Sequence, residues 1–183
     1  MARIQPINPA QTSGKAKQLL DGVQAKLGVT PNMMKTMAHS AAALEAYLKF
    51  SGTLGQGLLG TKFGEQLALV IGQANACEYC VAAHTALGQG AGLNTDEIIT
   101  SRRGQSGNAK IAGGLEFARQ VIDKRGAVSD EEVSRVRAAG YSDGEIAEIV
   151  SHVSLNILTN YFNLVARTEV DFPRTPLALG QPA

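Results

Sequence analysis

Apolar residues recur every three or four positions along most of the chain, and glycines or capping residues interrupt them at helix-length intervals. That spacing matches the turn of an α-helix, and no alternating run is long enough for a convincing strand. Ala16, Leu19, Leu20, Val23 and Leu27 form one such stripe, with Gly28 as its stop signal. Thr30-Pro31 opens the next element, expected to run from Asn32 towards Gly52 with Met33, Met37, Leu44 and Leu48 on one face. Gly52 to Gly60 is glycine-rich and reads as a loop or a frayed helix end. From Lys62, the run Leu67-Ala68-Leu69-Val70-Ile71 is apolar all round, as in a fully buried helix, although those residues alone also fit a strand.

Further helices are expected over Ala76 to Leu87, from Thr95, over Ala109 to Lys124, from Ser129 to Gly140, and from Glu145 to about Arg167. Ser129 ahead of Asp130, Glu131 and Glu132 has the form of an N-cap with an acidic first turn. The tail Asp171 to Ala183 carries three prolines and is expected to be extended, suited to lying on a neighbour's surface. Gly64-Glu65 and Gly144-Glu145 each precede an apolar helix, with Leu69-Val70 matching Ile149-Val150, which is compatible with a worn internal repeat. The expected fold class is all-α, and 183 residues fit one domain with an ample core.

With 44% hydrophobic and 18% charged residues the chain is not disordered. Its 17 Lys+Arg against 16 Asp+Glu leave a net charge of +1, which excludes a broad phosphate-binding surface for nucleic acid. No apolar window is long enough to span a membrane, and Met1-Ala2-Arg3-Ile4-Gln5-Pro6 lacks the apolar stretch of a signal peptide, so a cytoplasmic protein is expected.

The segment that carries chemistry is Glu65…Asn75-Ala76-Cys77-Glu78-Tyr79-Cys80-Val81-Ala82-Ala83-His84. On a helix turning about 100° per residue, Cys77, Cys80 and His84 fall within a sector of roughly 60°. Asn75 with Glu78 three residues on resembles a capping box, and with Asn75 as N-cap both cysteines lie where free N–H groups and the helix dipole favour thiolate. Glu65 is too far from Cys77 along one continuous helix, by about 18 Å, so it meets the thiols only if the chain bends near Ala74-Asn75. A glutamate on a buried helix needs a partner, and His84 is the nearest candidate.

Glu65 followed by Cys77-x-x-Cys80-x-x-x-His84, in an all-helical setting, resembles the AhpD-like alkylhydroperoxidases of the carboxymuconolactone decarboxylase superfamily. The flanking Gln73-Ala74-Asn75-Ala76 and His84-Thr85-Ala86-Leu87-Gly88 are similar to its uncharacterised peroxidase-related branch. The likeness covers about Asn32 to Gly92, and more loosely reaches Gly140-Tyr141-Ser142-Asp143 and the Asn-rich last helix. It implies an AhpD-like helical bundle and a two-cysteine peroxidase acting on hydrogen peroxide or small organic hydroperoxides. By that likeness Cys80 is the peroxidatic thiolate, Cys77 resolves its sulfenic acid as a disulfide, and Glu65 with His84 moves protons. The resemblance also implies an external dithiol reductant, lipoyl-bearing or thioredoxin-like, and a trimeric or hexameric assembly. No cofactor or metal is implied.

One departure matters: the best-known AhpD members carry a histidine between the cysteines, where this chain has Tyr79. A phenol of pKa about 10 does not shuttle protons at neutral pH, though it can hydrogen-bond a thiolate or line a pocket. Competing readings are a carboxymuconolactone-decarboxylase-like lyase, disfavoured by the cysteine pair and by the lack of a nearby cationic clamp, and a thiol-disulfide exchange or redox-sensing protein. The cysteines also fit two small core residues or, with His84, a metal site that lacks its fourth ligand unless Glu65 serves. His152, Asn156, Asn160 and Asn163 recur at helical spacing, which favours a hydrogen-bonded helix or subunit seam over a pocket wall. Met33, Met34 and Met37 are expected in the core, His39 in a structural or surface role, and Arg102-Arg103 in a solvated loop.

Overall fold

The computed structural model describes residues 1–179. Among these, after a short 3-10 turn at Pro9–Gln11, the chain forms α1 (Gly14–Leu27), α2 (Asn32–Met37), α3 (Ala41–Leu54), α4 (Gly60–Ala74), α5 (Glu78–Gly90), α6 (Thr95–Arg102), α7 (Ala109–Asp123), α8 (Asp130–Ala138) and α9 (Asp143–Ala166), with no strand. The expected all-α class is therefore present. Most boundaries follow cap chemistry visible in the sequence. Asn94, Ser129 and Ser142 each close a capping box with a glutamate three residues on, and Gly28 ends α1 in the left-handed conformation.

The element expected from Asn32 towards Gly52 is two helices. Ser40 accepts the Ala43 N–H as the N-cap of α3, and this local bond wins over continuation from α2. The glycine-rich stretch is shorter than expected, because α3 runs to Leu54 and α4 starts at Gly60.

α4 lies at the centre, packed against α5, α6, α7 and α9. Phe63, Gln66, Leu67, Ala68, Leu69, Val70, Ile71 and Gly72 are all buried along it, which settles the Leu67 to Ile71 run as core helix. One apolar cluster joins α4 to α7, α8 and α9 through Leu67, Leu115, Val136 and Ile149. A second gathers Leu20, Val23, the three methionines of α2, Leu44, Cys77, Tyr79 and Cys80. The cysteines thus sit in the smaller cluster, on the side of α5 that faces α1 to α3.

α7 comes close to Phe63 and Tyr141 because residue 114 is glycine. A Cβ there would stand 2.6 Å from Phe63 Cζ and also against the Tyr141 ring. Gly114→Ala is expected to destabilise the chain by about 1–3 kcal/mol, a fall in Tm of roughly 3–10 °C. Thermal unfolding followed by circular dichroism checks this, and an unchanged Tm would contradict the close packing.

Two further expectations change. Arg102 is not solvated: it is 6% exposed, and its Nη2 donates to Gln73 Oε1 at 2.8 Å and to the Pro176 carbonyl at 2.6 Å. Burial holds its pKa below the ordinary arginine value. A guanidinium at the end of α6 finds several carbonyl-type acceptors there, which a reading of the loop's polarity did not anticipate. Gln73 Nε2 also donates to the Leu177 carbonyl, so the described tail lies on α4 and α6 of its own chain rather than reaching outwards. Residues 180–183 lie outside the described part. The positions matched as a worn repeat occupy unlike environments: Glu65 lies well inside α4, Glu145 closes the capping box of α9, Val70 is buried and Val150 is exposed. Among the described residues no helix is long and apolar enough to cross a membrane.

Candidate active site

The site begins where α4 turns into α5. The expected bend is present, but its cap is not Asn75. The Asn75 N–H still completes α4 by donating to the Ile71 carbonyl, so the residue belongs to the preceding helix. Its side-chain amide donates to Asn160 Oδ1 at 2.9 Å, tying the bend to α9. Ala76 takes the turn with φ +52°, a left-handed conformation that costs a non-glycine residue about 1–2 kcal/mol. Cys77 follows in extended conformation and is itself the N-cap of α5, its Sγ accepting the Cys80 N–H at 3.3 Å.

Cys77 and Cys80 are joined as a disulfide with their Cα atoms 5.3 Å apart. Both residues are buried, at 1% and 2% exposure. Cys80 lines a cavity of about 270 Å³, whereas Cys77 does not. The Cys80 sulfur also receives a hydrogen bond from Asn163 Nδ2 of α9 at 3.4 Å. Each sulfur therefore has an N–H donor of its own, and such donors favour the thiolate once the pair is reduced.

The bend brings Glu65 of α4 to His84 of α5, one turn beyond Cys80, where Glu65 Oε2 and His84 Nδ1 are 2.7 Å apart. An ionised carboxylate only accepts, so Nδ1 carries the proton and Nε2 is left as the basic nitrogen. Both residues line the cavity that Cys80 faces. Glu65, Cys80 and His84 are thus brought together on one wall, with Cys77 behind Cys80.

Tyr79 lines the cavity, but its hydroxyl accepts the Met33 N–H at 3.2 Å instead of meeting a sulfur. Burial, with Asp171 nearby, holds its pKa well above the ordinary phenol range. It packs edge-on against Phe172, a tail residue that closes the same side of the cavity. Met33 and Met34 are core residues and cavity wall at once, and Met37 is core alone. His39 is exposed, its Nε2 within 2.8 Å of the Gln5 carbonyl, a structural contact of the kind expected.

The polar stripe of α9 is both the expected helix seam and a cavity wall. His152, Asn156 and Asn163 line the cavity, joined by Thr159, while Asn160, at the α4–α5 bend, and Asn163, on the Cys80 sulfur, bond across the helix seam. Thr159, Tyr47 of α3 and Phe172 were not singled out from sequence. Thr159 alone had a signal, since it continues the helical spacing of the stripe. Burial raises the pKa of Tyr47, with the Glu65 charge adding to the effect. No lysine or arginine lines the cavity, and among the described residues no cluster of three or more His, Cys, Asp or Glu side chains is placed to hold a metal ion.

These features define a helical thiol protein with a Cys-x-x-Cys pair beside a hydrogen-bonded Glu–His couple. Residues 38–117, which contain all four of those side chains, match the model of the carboxymuconolactone decarboxylase family. The fold is similar to an uncharacterised peroxidase-related protein from Ralstonia eutropha JMP134, described as an alkylhydroperoxidase AhpD core, with TM-score 0.81, 22% identity and 93% and 92% of the two chains covered. A peroxidase-related protein from Silicibacter sp. TM1040 gives TM-score 0.79 at 20% identity, over 91% of this chain and 92% of that one. The debrominase Bmp8, solved as a variant in complex with 2,3,4-tribromopyrrole, gives TM-score 0.79 at 16% identity over 92% and 91% of the two chains. No curated protein matches. Segment and fold agree: residues 38–117 match the carboxymuconolactone decarboxylase family model, and the chain has the AhpD-like fold.

Proposed function

We propose that the chain is a thiol-dependent peroxidase that reduces hydroperoxides through Cys80 and Cys77. The observation that carries this reading is the position of Cys80: of the two disulfide sulfurs it is the one facing the cavity, beside the Glu65–His84 couple. In the reduced protein His84 Nε2 takes the Cys80 thiol proton, with Glu65 holding the ring and stabilising the imidazolium. The thiolate attacks the distal oxygen of ROOH. An S–O bond forms, the O–O bond breaks, sulfur loses two electrons, and the departing alkoxide takes the proton from His84 to leave as ROH. The Cys77 thiol then displaces hydroxide from the Cys80 sulfenic acid, giving the disulfide and water.

An external dithiol closes the cycle. Attack on Cys80 from the cavity expels Cys77 as a thiolate, which the Cys80 N–H at the start of α5 stabilises. Because both cysteines are buried, a slender dithiol such as a lipoyl arm suits this step better than a protein surface bearing its own buried pair. A cytoplasmic setting, where dithiols are kept reduced, suits the cycle. An exposed apolar strip on α9, comprising Val150, Leu158, Tyr161, Leu164 and Val165, would serve assembly into a homo-oligomer.

The test reduces the protein, removes the reductant and adds one equivalent of cumene hydroperoxide. Rapid loss of both thiols in the native chain, absent in Cys80→Ser, is the expected result. Thiol loss no faster than in a small free thiol would sink the peroxidase reading. A second reading is favoured by the cavity itself, apolar and without a cation: reductive removal of halogen from a haloaromatic, as the debrominase likeness brings to mind. Bromide release from a bromopyrrole under dithiol separates the two. The lyase reading has less support, since the cavity offers no lysine or arginine to hold a substrate carboxylate.

A further inference from the structure

The cavity has a second histidine that the proposed cycle does not use. His152 of α9 is 9% exposed and lines the same cavity as Cys80, Glu65 and His84. Its ring packs on α4 beside the relay, where a Cβ at Gly64 would stand 3.3 Å from Cε1. Neither ring nitrogen is hydrogen-bonded to another described residue. A polar side chain that is nine-tenths buried and unpartnered, facing an open cavity, is placed to meet a ligand.

The charged and titratable groups around the ring set its state. Burial lowers its pKa, Glu148 on its own helix and Glu65 on α4 oppose that, and His84 on α5 adds to it. Glu148 is itself engaged, accepting the Leu58 and Leu59 N–H groups. The ring is therefore neutral at pH 7 and offers one donor and one acceptor. Around it the walls are mostly apolar, with Val29, Met33, Met34, Leu155 and Phe172, and carry no lysine or arginine. Such a cavity selects against carboxylates and phosphates and accepts an uncharged molecule with an apolar body and a small polar head.

We propose that His152 binds the head of an uncharged organic hydroperoxide, donating a hydrogen bond to the proximal oxygen while Cys80 attacks the distal one. This assignment rests on the peroxidase reading and names the substrate class within it. As the O–O bond breaks, negative charge gathers on the proximal oxygen, and the His152 N–H stabilises it until the proton from His84 arrives. His152 thus stands in for the histidine that Tyr79 displaces between the cysteines, reaching the site from α9 instead of α5.

The experiment compares native protein, His152→Phe, which keeps a ring without nitrogens, and His152→Gln, which keeps a donor. Oxidation of the reduced chain by cumene hydroperoxide is expected to slow about ten- to hundredfold in the Phe variant and to recover largely in the Gln variant. Iodoacetamide alkylation of Cys80 against pH, in a Cys77→Ser background, is expected to be unchanged in both, because thiolate formation belongs to His84 and Glu65. An unchanged oxidation rate, or an equal loss in alkylation, would overturn the assignment.

Binding of cumyl alcohol, the uncharged product, separates this proposal from the peroxidase reading. The chain has three histidines, so the Cε1–H resonance of His152 is readily followed by NMR in the native protein. A saturable shift with cumyl alcohol, and none with benzoate, supports the head-group role even if hydroperoxides prove not to be turned over. No shift overturns it, whether or not the variants fold.

Discussion

Cys80→Ser is expected to lower hydroperoxide turnover by at least about a thousandfold, because a group that forms the covalent bond has no substitute nearby. Cys77→Ser is expected to behave differently. Cys80 remains in the cavity with Asn163 and His84 around it, so the first oxidation proceeds, but the sulfenic acid meets no resolving thiol. Intact mass after one equivalent of oxidant should show an added oxygen on the Cys77→Ser chain, and further oxygens with excess oxidant, as sulfur climbs to the sulfinic acid. The native chain should instead lose two hydrogens and stop. If Cys77→Ser were inactive towards the first equivalent while Cys80→Ser reacted, the two roles would be exchanged.

Glu65→Gln is expected to reduce the rate of Cys80 oxidation by about a hundredfold or more, without unfolding the chain. The Glu65–His84 contact of 2.7 Å fixes the proton on Nδ1 and leaves Nε2 basic. A glutamine amide can donate to Nδ1 instead, which moves the ring proton to Nε2 and removes the base from the cavity side. The loss should appear in alkylation of Cys80 as well, with the reactive thiolate formed only at higher pH than in the native chain. His84→Gln should reproduce the effect, and Glu65→Gln on top of it should add little, since the two residues act as one unit. Native alkylation in Glu65→Gln would remove the couple from the mechanism.

Most helices were legible because their signals are local. Ser142 with Glu145, or Ser129 with Glu132, specify an N-terminus through hydrogen bonds that span only three residues. The bend between α4 and α5 was legible for a different reason: Glu65 needed a partner, and only a turn could bring His84 to it. What stayed hidden depends on contacts distant in sequence. Asn75 looked like a cap until Asn160, 85 positions away, claimed its amide. Arg102 read as solvated because its acceptors, Gln73 and the Pro176 carbonyl, come from α4 and the tail. The α9 stripe showed its period, but the side that faces a cavity is decided by how α9 lies across α4 and α5, and no spacing within α9 encodes that.

The cavity is assembled from three stretches of chain, residues 27–34, 47–87 and 152–172, the last far from the others in sequence. Glu65, Cys80 and His84 lie within the family-matched segment 38–117, whereas His152, Asn156, Thr159, Asn163 and Phe172 lie beyond it. The reacting groups and the α9 and tail part of the wall are therefore encoded separately. Substitutions at Leu155, Asn156, Thr159 and Phe172 can retune which molecules enter, whereas Asn160 and Asn163 are tied to the bend and to the Cys80 sulfur. For anyone redesigning this protein, those four positions are the dial, and residues 65–84 with Asn160 and Asn163 are the engine.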